Sequence, residues 1–303
     1  MTELRRAACF VNAKARSAEA RASEFIAAVE ARGISVELHK TGSQEEALRT
    51  VRDLPETDAI LVGGGDGTLS GMLPALLERP EPLGVLPLGT ANDFARALSI
   101  PQDPDQAAEI VAKGHVREVD IGLLNDRPFL NVASLGISVE VADLHEDGAK
   151  KLLGRFAYPM RWMEAWRRHR PLRLQLTIGD EERRVVCSLL GVGCGRHYGG
   201  GLTLDEEARP DDGNLRLYYL AARRTTDWFR LLPSLWRGTL RQHGEAFTAT
   251  AREIEIRSRK PKKINVDGDI VERTPARVSV MPGRLKVLAP PRADYERPNG
   301  FGL

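Results

Sequence analysis

Three short segments of this chain carry residue types that phosphate binding and proton transfer require. Gly63-Gly64-Gly65-Asp66-Gly67-Thr68 follows an aliphatic run and leads straight into an apolar-periodic stretch, so backbone amides and the positive end of a helix converge on one spot. Glycines there admit positive φ and let a ligand approach the backbone, and Asp66 could hold a magnesium ion beside the phosphates, directly or through water. A plain tight turn is the competing reading. The segment is not a Walker loop, because the GK[ST] ending is absent, and it lacks G-x-G-x-x-G spacing, since Leu69 follows Thr68 and the next glycine is Gly71. A second turn, Pro87-Leu88-Gly89-Thr90-Ala91-Asn92-Asp93-Phe94, again precedes helical spacing. Thr90, Asn92 and Asp93 are ordinary capping residues in isolation, and only the pairing with the first turn on one sheet edge favours phosphate binding. Near the far end, Asn265-Val266-Asp267-Gly268-Asp269 sets two carboxylates two residues apart. In an extended segment both would point to one face, as an acceptor for a hydroxyl proton or as a metal ligand. An Asp-Gly hairpin with a solvated tip competes evenly.

The elements around these segments have two different periods. Ala7–Val11 reads as a buried strand, and residues 17–32 follow with helical spacing through Ala18, Ala22, Phe25, Ile26 and Val29 up to Gly33. Strand-like 35–38, helix-like 45–51, strand-like 59–62, helix-like 69–77, strand-like 83–86 and helix-like 91–98 continue the alternation, which implies a parallel sheet. Beyond about Val119 the segments 129–133, 172–178, 184–192, 215–219, 253–257 and 278–281 look like strands without regular helices between them. Two helical exceptions, 150–168 and 226–240, each contain a proline. The expected architecture is therefore an α/β parallel-sheet domain over residues 1–120 followed by a mainly β domain over 121–284.

At 303 residues, with 42% apolar and 28% charged, two domains are expected. Lysine and arginine number 44 against 42 acids, and a net charge of +2 gives no general argument for nucleic acid. Cys9, Cys187 and Cys194 are far apart and form no CxxC pair, which points to a reducing cytosol and no structural zinc. No signal-peptide stretch follows Met1, and no run of about 18 apolar residues occurs, so no membrane span is expected.

Taken in order, these segments resemble the diacylglycerol kinase catalytic family and, within it, the bacterial YegS-like lipid kinases, whose fold is shared with NAD kinase and sphingosine kinase. The resemblance rests on Val11-Asn12-Ala13-Lys14, the GGGDGT turn, Pro87 to Phe94, Val119-Asp120-Ile121-Gly122, Phe129 to Ala133 with Gly136, Gly199-Gly200-Gly201, Asp212-Gly213-Asn214-Leu215 and Val266 to Asp269. It implies a nucleotide-binding domain of the NAD kinase type, a β-sandwich lipid-substrate domain, and a tail, 285–303, that returns to the first domain. It further implies that Gly65, Asp66, Gly67, Thr68, Leu69, Ser70, Gly71 and Thr90 bind ATP, with Thr41 and Asn12 as further contacts. Asp269 matches the proton acceptor and Asp267 an acid also important for activity. Arg209, Asp212 and Asn214 match a structural Mg2+ site, the carboxylate from Asp212 and backbone carbonyls from the other two. In the implied mechanism the lipid headgroup enters a cleft between the domains, and Asp269, or Asp267 in its place, takes the hydroxyl proton as that oxygen attacks the γ-phosphate. Two positions depart from the family pattern: Ser70-Gly71 stands where Asn-Glu is usual, and Cys194 stands where an asparagine is usual.

All four tryptophans lie in the helical exceptions, Trp162 and Trp166 in one and Trp228 and Trp236 in the other. The first helix and its flank carry seven basic residues, among them Lys150, Arg155 and Arg168, against Glu164 alone. Such a helix fits an anionic membrane surface, although Leu152, Phe156, Met160 and Met163 could equally pack on the sandwich. A cytoplasmic enzyme that meets the inner membrane transiently is the expectation, and an exposed strand edge could mediate a homodimer. Two other functions fit the same turn: an NAD kinase-like enzyme, and a nucleotide-binding regulator without turnover.

Overall fold

The computed structural model describes residues 4–12, 16–140, 170–195, 197–198, 202–203, 208–221 and 246–291. The chain divides into two compact units, Met1–Asp120 with Pro282–Leu303, and Ile121–Met281. The helical exceptions at 150–168 and 226–240, with all four tryptophans, lie outside the described residues, as does the segment Gly199-Gly200-Gly201.

The first unit runs β1 (Arg6–Asn12), α1 (Arg16–Glu30), β2 (Ser35–Thr41), α2 (Gln44–Arg52), β3 (Ala59–Gly64), α3 (Asp66–Leu76), β4 (Leu83–Pro87), α4 (Asp93–Ala97) and α5 (Pro104–Lys113), then enters β5 (Val116–Leu124). Its strands lie in the order β2-β1-β3-β4 and are parallel throughout. Both faces are covered, so β1, β3 and β4 read as apolar runs. Cys9 and Leu61 meet Phe25 and Val29 of α1 and Val111 of α5 in one core cluster. Alternation along the strands turns Phe10, Ile60 and Val62 to the opposite face. Burial of such a side chain contributes about 1.5–3 kcal/mol relative to exposure. Asp120, 3% exposed, accepts the N–H of Gly283 at 2.9 Å and so fastens the returning end of the chain.

Helix α5, which sequence reading missed, buries Ala107, Ala108 and Val111 at helical spacing, and its ends are marked by punctuation. The Asp103 carboxylate accepts the Gln106 N–H at 3.0 Å, Pro104 opens the helix and Gly114 closes it at φ 59°. The helix expected over 91–98 is shorter, covering Asp93–Ala97.

The second unit holds the end of β5, β6 (Arg127–Phe129), β7 (Val132–Gly136), β8 (Leu172–Ile178), β9 (Glu181–Cys187), β10 (Leu189–Gly193), β11 (His197–Tyr198), β12 (Leu202–Thr203), β13 (Leu215–Leu220), β14 (Ala246–Ala251), β15 (Glu253–Ser258), β16 (Lys263–Val266), β17 (Asp269–Arg273) and the start of β18 (Ala276–Leu288). One antiparallel layer is β18-β15-β8-β9 and the other β14-β13-β10-β7-β16-β17. Leu172, Leu174, Leu176, Ile254 and Ile256 of the first layer share a core with Leu135, Leu190, Val192, Leu217 and Ile264 of the second, which makes the unit a sandwich. The α/β domain followed by a mainly β domain, read from the change of period, is observed, and the second takes the sandwich form that the resemblance implies. Two expected strands each prove to be two. The run 184–192 breaks at Ser188 because β9 pairs with β8 while β10 pairs with β7 and β13 in the other layer. The run 129–133 breaks at Leu130-Asn131, where backbone N–H groups bond to a side chain instead of a neighbouring strand.

Candidate active site

Strands β3 and β4 are registered Gly64 against Pro87, so the two glycine turns leave the sheet side by side. Leu88 N–H donates to Gly64 O at 2.9 Å, and the turns then touch backbone to backbone. A Cβ on Gly89 would stand 2.5 Å from the Gly65 Cα, and one on Gly65 would stand 2.9 Å from the Gly89 Cα. No side chain other than hydrogen fits at either position without moving the partner turn.

The polar residues of these turns hold them together. Asp66 accepts the N–H of Asp93 and the N–H of Phe94, both at 3.0 Å, one with each carboxylate oxygen. Asn92, at φ 51°, accepts the Gly89 N–H at 2.8 Å and donates to Gly89 O at 2.9 Å. This corrects one expectation. The first amides of α4, those of Asp93 and Phe94, are capped by Asp66 from the other turn and are not offered to a phosphate. Thr90 is exposed on the turn, and the Leu69 side chain is in the core, 2% exposed.

A cleft of about 280 Å³ opens beside the first turn, at the carboxyl ends of β1 and β2. Asn12, Thr41, Gly67, Thr68 and Gly71 line it, which joins five of the residues read from the sequence. Gly65, Asp66, Leu69, Ser70 and Thr90 are not in its lining. Helix α3 begins after Gly65 with no side-chain hydrogen bond capping its first amides, a condition that an anion site at a helix start requires. Phosphates at the amino end of α3 would place the rest of a nucleotide along the cleft wall, a volume near the lower end of small-molecule sites.

Sequence reading missed one wall of this cleft, Gly42, Ser43 and Gln44. Ser43 caps α2 by accepting the Glu46 N–H at 3.2 Å, while the Glu46 carboxylate accepts the Gly42 N–H at 2.7 Å. The S-x-x-E spacing straight after β2 was the available signal. Gln44 donates to Gly71 O at 3.1 Å, so the Ser70-Gly71 departure is where α2 and α3 close together.

In the second unit β16 and β17 form a two-residue hairpin in which Val266 pairs with Asp269. Asp267 and Gly268 both have positive φ, 50° and 110°, the geometry that Asp-Gly turns favour. The segment is therefore not extended, and its two carboxylates do different things. Asp267 folds back and accepts three backbone N–H groups, Leu130 at 2.7 Å, Asn131 at 2.9 Å and Val132 at 2.9 Å. Its own N–H donates to Val132 O at 3.0 Å. Three converging donors stabilise the charged carboxylate and anchor the 130–132 loop, which explains why this tip is not merely solvated. Asn265, 7% exposed, accepts the Gly268 N–H at 2.9 Å and braces the same turn, a residue sequence reading passed over. Asp269, one residue beyond the turn, is exposed.

Arg209, Asp212 and Asn214 do come together. Asp212 accepts the N–H of Asn214 at 3.0 Å and that of Arg209 at 3.4 Å, and its second oxygen also receives the Arg216 guanidinium. Asp212 thus already has a cationic partner, with both side chains largely covered at 22% and 14% exposure. Arg216 already balances the Asp212 charge, so a Mg2+ at this carboxylate would share it with Arg216 or displace it. Among the described residues no group of three acidic, histidine or cysteine side chains clusters around a point. The three cysteines are buried and form no disulfide, and burial pushes the thiols of Cys9 and Cys187 up to about 12. Among the described residues no helix is long and apolar enough to cross a membrane.

Comparison with known proteins supplies a second line of evidence. Residues 6–124 match the model of the diacylglycerol kinase catalytic domain, and residues 131–289 match that of the YegS C-terminal NAD kinase beta sandwich-like domain. A Chromohalobacter salexigens protein named "Probable lipid kinase YegS-like" is 32% identical over 279 residues, 88% of each chain. A Mycobacterium tuberculosis diacylglycerol kinase is 34% identical over 246 residues, 77% of each chain. A solved diacylglycerol kinase from Bacillus anthracis superposes with a TM-score of 0.75 at 22% identity, over 96% of this chain and 99% of that one, a likeness of fold.

Proposed function

The chain belongs to the diacylglycerol kinase family as a lipid kinase, and from that premise we propose that it transfers the γ-phosphate of ATP to the hydroxyl of a diacylglycerol-like or phosphatidylglycerol-like lipid. The observation that carries this reading is the cleft at the carboxyl edge of the parallel sheet, where Thr41, Gly67, Thr68 and Gly71 surround space beside the uncapped start of α3. Backbone amides and a helix dipole there would hold polyphosphate without a P-loop lysine. Asn12 and Thr41, at the ends of adjacent strands, are placed to orient the remainder of the nucleotide. The expected contributions of Gly65, Asp66 and Asn92 are structural, because they fasten the two turns.

On the acceptor side the hairpin supports Asp269 as general base. Its neighbour Asp267 is engaged with three amides and is the positioning residue. Asp269 takes the proton of the lipid hydroxyl as that oxygen forms its bond to the γ-phosphorus and the bond to the departing ADP oxygen breaks. Magnesium bound with the nucleotide would supply charge neutralisation on the phosphates. The enzyme in this reading works from the cytoplasmic side, where ATP is available, on lipid at the inner membrane surface.

Transfer of labelled phosphate from ATP to lipid vesicles, wild type against Asp269→Asn, tests the proposal. Labelled lipid from the wild type and a fall of at least about a hundredfold in the variant is the expected result. Unchanged turnover in Asp269→Asn would remove Asp269 as base, and label appearing in NAD instead of lipid would overturn the acceptor class.

A further inference from the structure

Residues 257–263, Arg257-Ser258-Arg259-Lys260-Pro261-Lys262-Lys263, carry five cations and no acid, in a chain whose overall net charge is only +2. This loop joins β15 of one sandwich layer to β16 of the other, and its backbone is fixed. Ser258 Oγ donates to Lys260 O at 2.7 Å, Lys262 N–H donates to the Thr274 hydroxyl at 2.9 Å, and Thr274 N–H returns to Lys262 O at 2.9 Å. Thr274 itself is 2% exposed. The charged side chains are thus held outward on a rigid platform: Arg259, Lys260 and Lys263 are exposed and Lys262 half-exposed.

Neighbouring strands add to the same charge. Exposed Arg273 is directly opposite Lys263 in the β16–β17 pair and adds a further cation beside the loop. Exposed Arg173 adjoins Leu174, the β8 partner of Ser258 at the end of the β8–β15 ladder. The acids close by are Glu255, bonded to Arg257 at 2.7 Å, and Glu272, opposite Ile264. Arg259, Lys260 and Lys262 make no ion pair among the described residues.

We propose that this platform docks the enzyme on anionic phospholipid, an inference that rests on the lipid-kinase reading above. A rigid cluster of this size is what attracts a protein to a negatively charged bilayer, at about fivefold in affinity per basic side chain near the surface. The loop contains no aromatic residue on which a base could stack, which sets it apart from single-stranded nucleic-acid sites. The docking loop and Asp269 belong to one hairpin: the loop is at its open end, and Asp269 follows its turn about 13 Å away along the strand.

The test is sedimentation of the nucleotide-free protein with vesicles of phosphatidylcholine alone and of phosphatidylcholine with phosphatidylglycerol in a two-to-one ratio. Wild type is expected to bind only the anionic vesicles and to be released by high salt. The triple variant Arg259→Gln, Lys260→Gln, Lys262→Gln is expected to bind about a hundredfold more weakly. Its thermal midpoint should be unchanged, and so should turnover on a short-chain acceptor dispersed in neutral detergent. Equal binding by variant and wild type, salt-independent binding, or tighter binding to a short RNA than to the anionic vesicles would each overturn the proposal. Absence of turnover on any lipid with charge-dependent vesicle binding intact would instead count against the lipid-kinase reading and leave the docking surface standing.

Discussion

At the residue scale the two carboxylates of the far hairpin differ because backbone geometry separates them. Asp267 sits at φ 50° and meets three amides, whereas Asp269 is in a strand and exposed. Asn in place of Asp267 keeps one acceptor and turns an amide N–H2 group towards donors, so charge-assisted bonds worth about 1.5–3 kcal/mol each are lost and not replaced. Asp267→Asn is therefore expected to lower stability by about 2–4 kcal/mol in urea titrations, and activity with it. Asp269→Asn is expected to leave the urea midpoint in place while removing activity. Equal midpoints for both variants would show that the Asp267 clamp does not hold the loop.

At the element scale the glycine turns depend on mutual contact more than on their sequence as phosphate binders. Each Cα closes on the other, and Asp66 caps the helix that follows the second turn. Gly89→Ala places a methyl group 2.5 Å from the Gly65 backbone, which cannot swing away as a flexible side-chain tip would. A destabilisation of about 1–3 kcal/mol is expected, with weaker ATP binding in calorimetry because the start of α3 shifts. ATP affinity unchanged in Gly89→Ala would separate the second turn from the nucleotide cleft. Gly67→Ala is the contrast, since nothing lies within 4 Å of a Cβ there.

At the scale of the whole molecule the partner of Asp212 decides whether the fold needs a metal ion. With Arg216 as the cation, EDTA is expected to leave the thermal midpoint of the nucleotide-free protein unchanged. Arg216→Met, which keeps the apolar stem, is expected to cost about 1–3 kcal/mol and to make the midpoint respond to added magnesium. A fall of the wild-type midpoint in EDTA would restore a structural cation. The strand–helix alternation of the first unit and the change to a mainly β second unit were legible in the sequence, because apolar period and glycine punctuation are local properties. Helix α5 and the S-x-x-E start of α2, both missed in sequence reading, carried readable signals in their caps. Which carboxylate stays exposed, which amides are already bonded, and which cation answers Asp212 were decided only by tertiary structure. Asp66 meets residues 27 and 28 positions away, and Asp267 meets residues 135 to 137 positions away. A side chain's chemistry is set by such neighbours, and separations of that length leave no periodic trace in the chain.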